Sequence, residues 1–212
     1  GAGFLRCLGR RGLSAAGVFL LTSWWRKTCW QLPVLGLKAP HPYRQWLTAD
    51  GSLTAKLKDH SQAFRVQCLH QTTGRCLTDE AVAIGMHRPG RVWEREVLLR
   101  CDNTPVVFAH TVVPMSATAT DWPLFSALGE RSLGSTLFGD PQVRRGVLEF
   151  ARLREGHPLA QRARKALGLD GPQELILYAR RCLYRRRRGT LLVTEVFLPS
   201  VLELKLITTN RS

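Results

Sequence analysis

The stretch Leu191-Leu192-Val193-Thr194-Glu195-Val196-Phe197-Leu198 constrains this chain more than any other. It reads as a strand. With a strand's two-residue period, Leu191, Val193, Glu195 and Phe197 point to one face, and Leu192, Thr194, Val196 and Leu198 to the other. Both faces are apolar, so the strand belongs in the interior of a sheet rather than at its rim. Glu195 then projects into a nonpolar layer, where a lone carboxylate costs several kcal/mol unless it is paired, hydrogen-bonded or protonated.

Other segments supply the rest of the sheet. Phe64 to Leu69 alternates apolar and polar residues. Val92 to Cys101 and Pro105 to Val113 are two more strands, joined by the turn pair Asp102-Asn103 as a hairpin. Val147 to Leu153 and Leu175 to Tyr184 complete the set. Helical patterns interrupt these strands in three places. A short helix N-capped by Ser52 falls between Tyr43 and His60, a short-helical pattern runs from Pro123 to Phe138, and a helix from Leu159 to Leu167 stops at Gly168. The expected architecture is α+β: a single antiparallel sheet of about six strands flanked by helices.

At 212 residues the chain suffices for one sizeable core. Residues 41–212 are expected to form that domain. Residues 1–40 are basic and acid-free, and read as a poorly ordered extension; their most apolar stretch, Gly17 to Trp25, is too short to span a bilayer. The excess of 31 Lys+Arg over 16 Asp+Glu gives a formal charge of +15, which suits an anionic substrate or a weak contact with an acidic membrane surface. Arg185 to Arg188 precede Gly189 at an expected hairpin turn and read as a solvated basic turn. No strand face interleaves aromatic and basic residues, so nucleic acid is not an expected partner. The six cysteines form no CxxC pair and have no histidines at zinc spacing. A cytoplasmic, monomeric protein with neither metal nor cofactor follows as the expectation.

The same period on Val92 to Cys101 places Trp93, Arg95, Val97 and Leu99 on one face and Glu94 and Glu96 on the other. Arg95 is thus a second charge on a buried face. Two readings stand equal on pattern alone: a plain Arg95–Glu195 salt bridge inside the core, or a cavity shared by the two charges. His110, in a strand, reads as a residue satisfying a local hydrogen bond.

Four blocks carry a specific resemblance: Trp93-Glu94-Arg95-Glu96-Val97-Leu98-Leu99, Thr111-Val112-Val113-Pro114, Ser132-Leu133-Gly134-Ser135-Thr136-Leu137-Phe138, and Leu191 through Leu198 with Pro199. In order and spacing they resemble the bacterial chorismate lyase family, and the similarity runs from about Trp46 to Pro199. The resemblance implies an enclosed ligand cavity under flap-like segments and a cofactor-independent lyase that removes pyruvate from chorismate. The product would be 4-hydroxybenzoate, in the first committed step of ubiquinone biosynthesis. It implies that Arg95 binds the ring carboxylate and that Glu195 meets the oxygen at the opposite end of the ring. The sequence leaves open whether Glu195 acts as base, as acid or mainly as an orienting hydrogen-bond partner; orientation with protonation of the leaving oxygen is the favoured reading. Leu53 and Leu133 would line the site, with Arg181 as a second cation for a dianionic substrate. The same fold is similar to ligand-sensing domains of bacterial transcription regulators, which bind without turnover; the residues before the matched region show no helix-turn-helix pattern.

Overall fold

A computed structural model of the chain describes residues 30–32, 34–118, 120–169 and 175–207. Its frame is a sheet with strand order β1-β2-β3-β6-β5-β4. The strands are β1 Phe64–Arg75, β2 Arg91–Cys101, β3 Thr104–Pro114, β4 Val143–Leu153, β5 Leu177–Arg186 and β6 Gly189–Phe197. Two antiparallel meanders, β1 to β3 and β4 to β6, meet where β3 pairs with β6. β6 is therefore central, as a strand apolar on both faces requires.

Turn chemistry sets the hairpins. Asp102 and Asn103 both adopt positive φ, 48° and 67°, the conformation of a two-residue turn whose twist matches the flanking strands. Asp102 also accepts the Ala63 N–H through Oδ1 at 2.8 Å, which pins the start of β1 beside the end of β2. At the β5–β6 turn Gly189 is required sterically: a Cβ there would lie 2.4 Å from the Cβ of Asp121. In the arginine run Arg185, Arg187 and Arg188 are exposed, whereas Arg186 pairs with Asp140 at 2.7 Å and donates to the Asp121 carbonyl.

Helices cover both faces. In chain order they are α1 His41–Leu47, α2 Leu53–Asp59, α3 Thr78–Ala83, α4 Leu133–Gly139 and α5 Pro158–Ala166. The first, second and fourth lie on the front, the other two on the back. Trp46, Leu47 and Leu57 pack with Val97, Leu99, Val107 and Phe197 on the front. Leu159, Ala160 and Ala163 pack with Leu98, Phe108, Ala179 and Val196 on the back.

Several expectations are corrected. Between Tyr43 and His60 there are two helices, because Gly51 (φ +80°) breaks the path before Ser52 caps α2 by accepting the Ala55 N–H. β1 runs past Leu69 to Arg75 across a bulge, held by pairing with β2 although its later residues are polar. α3 was not legible as a helix. Residues on the N-terminal side of position 40 also pack against the sheet. Gln31 bridges to Phe150 on the edge strand, and Leu37 and Ala39 are buried in the front core. The apolar stretch Gly17 to Trp25 lies outside the described residues. No helix among the described residues is long and apolar enough to cross a membrane.

On the back face Glu94 and Glu96 enter a buried charged network. His110 Nδ1 lies 3.0 Å from Glu96 Oε1, and its Nε2 lies 3.2 Å from Glu80 Oε1, an ion pair off the ideal hydrogen-bond line. Arg162 from α5 reaches Glu96 at 2.7 Å and Glu94 at 3.4 Å, and His70 closes the network from β1. His110 thus makes the local contacts its strand position suggested.

Candidate active site

On the front face a cavity of about 60 Å³ opens between the sheet and the first residues of α2 and α4. Its floor is Val66 of β1, Arg95, Val97 and Leu99 of β2, Ala109 and Thr111 of β3, Val193 and Glu195 of β6, and Arg180 and Tyr184 of β5. Gly51 to Thr54, Ser132 to Gly134, Leu137 and Phe138 form its roof. Thr54 Oγ1 and Ser132 Oγ lie 2.9 Å apart, so one hydrogen bond joins the two roof segments. The roof is tight there: a Cβ on Gly134 would lie 3.2 Å from Thr54 Oγ1.

Arg95 marks one end. It is 3% exposed, and its Nη2 donates to the carbonyls of Gly129 at 2.8 Å and Arg131 at 2.9 Å. Gln71, its register partner on β1, donates to the Phe125 and Ser126 carbonyls of the same loop. Two side chains thus fix this loop and, with it, the plane of the guanidinium. Arg95 Nε remains buried with no hydrogen-bond partner. A buried donor left unmet costs about 1–3 kcal/mol, so a ligand acceptor placed there recovers a free energy the empty site forgoes. Burial draws the Arg95 pKa down from its usual value, yet guanidinium stays charged under all ordinary conditions.

Glu195 marks the other end. Its carboxylate does not touch Arg95. It pairs with Arg180, its register partner on β5, at 2.5 Å between Nε and Oε2. The plain Arg95–Glu195 bridge is thereby excluded. Beside it Tyr184 lines the wall; burial first, then the neighbouring Cys182 and Glu195, pushes its phenol pKa up, so the hydroxyl stays neutral.

Of the residues singled out from sequence, Leu53, Arg95, Leu133 and Glu195 meet around this cavity. Arg181 does not. It lies on the back face, donating to Glu149 at 2.8 Å and to Asp79 at 3.0 Å with its guanidinium 4.3 Å from the Trp30 ring. The second cation of the pocket is Arg180, which strand alternation puts on the opposite face from its neighbour. The signal was present in the Ala-Arg-Arg sequence, but only the pairing of Arg180 with Glu195 says which arginine faces the ligand. Among the described residues no group of three or more His, Cys, Asp or Glu could hold a metal ion.

Two guanidinium groups against one carboxylate leave the pocket net positive, and largely apolar side chains line the space between. This is an α+β domain whose partly covered site suits a small anion. A family model described as chorismate lyase matches residues 24–206, so the chain belongs to the chorismate lyase family. It is 49% identical over 163 residues to the probable chorismate pyruvate-lyase of Cupriavidus metallidurans, covering 77% of this chain and 76% of that protein. It is 43% identical over 190 residues to the protein of the same name from Ralstonia nicotianae, covering 89% of this chain and 95% of that one. Among solved structures, the effector domain of PhnF from Mycobacterium smegmatis is similar at a TM-score of 0.49 and 15% identity, over 71% of this chain and 90% of that one.

Proposed function

We propose that this chain eliminates pyruvate from chorismate and leaves 4-hydroxybenzoate, the aromatic acid that opens ubiquinone biosynthesis. The observation that carries this reading is the buried, unpartnered Nε of Arg95 across the cavity from a carboxylate that another arginine holds in place. Arg95 takes the ring carboxylate, and Glu195 accepts a hydrogen bond from the ring hydroxyl at the far end.

The chemistry asks little more of the protein. Breaking the C3–O bond of chorismate sends its electron pair to the departing oxygen. Loss of the C4 proton supplies the electrons of the new ring double bond, and that proton ends on the methylene carbon of the departing group, completing pyruvate. The ring becomes aromatic, which makes the step downhill. Arg180 holds Glu195 Oε2 and leaves the other carboxylate oxygen to accept from the ring hydroxyl, which favours the orienting role expected of it over protonation of the leaving oxygen; the substrate's own side-chain carboxylate is the available relay. The protein contributes orientation and charge complementarity.

The test is incubation of the purified chain with chorismate in the presence of a chelator, with pyruvate and 4-hydroxybenzoate quantified together. Equal amounts of the two support the reading. Tight binding of chorismate or 4-hydroxybenzoate with no turnover assigns the chain to the ligand-sensing class instead.

A further inference from the structure

Arg180 has two sets of partners, and they belong to different parts of the molecule. Its Nε holds Glu195 Oε2. Its Nη1 donates to the carbonyls of Leu47 at 3.2 Å and Ala49 at 2.8 Å, with that of Trp46 at 3.4 Å. These carbonyls lie at the C-terminal end of α1 and just beyond it, where helical carbonyls lack intrahelical partners. Two residues after Ala49, Gly51 turns the chain at positive φ, and Gly51, Ser52, Leu53 and Thr54 form the roof of the cavity. One guanidinium therefore spans from the carboxylate on the floor to the root of the roof segment.

The span is rigid at both ends. Arg180 is 2% exposed and its guanidinium lies 5.7 Å from the Phe197 ring. Trp46 is 1% exposed, edge-on to His60 and under Lys56 Nζ. A planar fork that serves a carboxylate and several carbonyls at once fixes the direction of each, which a lysine's point charge does not.

We infer that Arg180 is a positioning residue that ties the orientation of Glu195 to the seating of residues 49–54, so that the acceptor for the ring hydroxyl is aimed only when that part of the roof is in place. The inference rests on the function proposed above for Glu195. A capping role alone would make Arg180 a support for α1 and nothing else. The two roles differ in what they do to recognition of the ring hydroxyl.

The experiment compares dissociation constants for 4-hydroxybenzoate and for benzoate, which lacks only that hydroxyl, in the wild type, Arg180→Lys, Arg180→Met, Glu195→Gln and the Arg180→Met/Glu195→Gln double variant. The wild type is expected to prefer 4-hydroxybenzoate by at least about 10-fold, as a hydrogen bond to a charged group implies. Both Arg180 variants should reduce that preference to within about 3-fold of the Glu195→Gln value, with benzoate affinity nearly unchanged and kcat down about 10²-fold, the usual consequence of a small misplacement. The double variant should lose no more of the preference than Glu195→Gln alone. Equal weakening of both ligands, with the wild-type ratio kept, overturns the inference, as does full recovery of the ratio in Arg180→Lys. The Lys variant keeps the charge and most of the side-chain length, and its ratio decides the matter by itself if Arg180→Met does not fold. A wild type that binds neither ligand and leaves chorismate intact would instead refute the proposed function.

Discussion

Arg95 on β2 and Glu195 on β6 stand on the same face of the sheet with only β3 between them, and they are offset along it. Arg95 is level with Thr111, and Glu195 with Ala109. Strand spacing of ~4.8 Å and a rise of ~3.4 Å per residue put their Cα atoms about 12 Å apart. Side chains leave a sheet roughly perpendicular to it, so the two charges stay separated by a gap suited to one ring bearing a substituent at each end. The offset makes the gap diagonal across β3, where Ala109 and Thr111 are small enough to leave it open.

The first prediction concerns Arg95. Arg95→Ala removes the guanidinium whose Nε is left without a partner at that end, and affinity for benzoate and 4-hydroxybenzoate should fall together by about 10- to 10²-fold, the worth of a hydrogen bond from a charged donor. Arg95→Lys should recover little of it, because a lysine cannot hold the Gly129 and Arg131 carbonyls and a carboxylate at once. Calorimetric titration of the two ligands checks both statements.

Stability should depend on pH through the back-face network. Burial alone would lower the pKa of His110, but its contacts with Glu80 and Glu96 overcome this and raise it to about 9. Burial alone would raise Glu96, but contacts with His110 and Arg162 bring it down to about 2. The raised imidazole stabilises the fold fully below its unfolded value near 6.5, and that contribution disappears as the pH rises toward about 9. The depressed carboxyl contributes above its unfolded value near 4.5 and is lost as the pH falls toward about 2. Thermal unfolding should therefore show a plateau between about pH 4.5 and 6.5, with Tm declining on both sides. His110→Gln should flatten the alkaline limb, which is worth on the order of 3 kcal/mol; an unchanged limb would contradict the assignment.

The roof must shift to seat a ligand. A cavity of about 60 Å³ is smaller than the ~150 Å³ that accommodates benzene in an engineered protein core, so a ring with two substituents needs the roof displaced, which the Thr54–Ser132 hydrogen bond and the packing around Gly134 resist. Thr54→Val keeps the volume and removes the bond. It should raise the dissociation rate of 4-hydroxybenzoate by about 2- to 10-fold, the equivalent of one net hydrogen bond. Stopped-flow displacement of the product provides the measurement.

Much of this fold can be read from particular residues. The two-faced run at Leu191 to Leu198 announced a central strand, Asp102-Asn103 announced its hairpin, and Ser52 and Gly168 marked a helix start and a helix end. Alternation alone put Arg95 on the face away from Glu94 and Glu96. What alternation could not supply was register between strands distant in sequence. That is why Arg181 was singled out and Arg180, the partner of Glu195, was not: adjacent residues on a strand face opposite ways, and only the neighbouring strand decides which way is inward. The polar second half of β1 and the short α3 escaped for a related reason. The first is held by pairing with β2; the second is one short turn-and-a-half held by the buried Glu80–His110 contact together with a local cap, Glu80 Oε2 accepting the Leu77 N–H.

A diffraction structure of the chain with 4-hydroxybenzoate puts the opposed grip of Arg95 and Glu195 to its most direct trial. One ring should lie diagonally over Ala109 and Thr111, with a carboxylate oxygen within hydrogen-bond distance of Arg95 Nε and the phenol oxygen on the Glu195 oxygen that Arg180 leaves free. A ring bound the other way round, with its carboxylate on Arg180, or one seated outside this cavity, would contradict it.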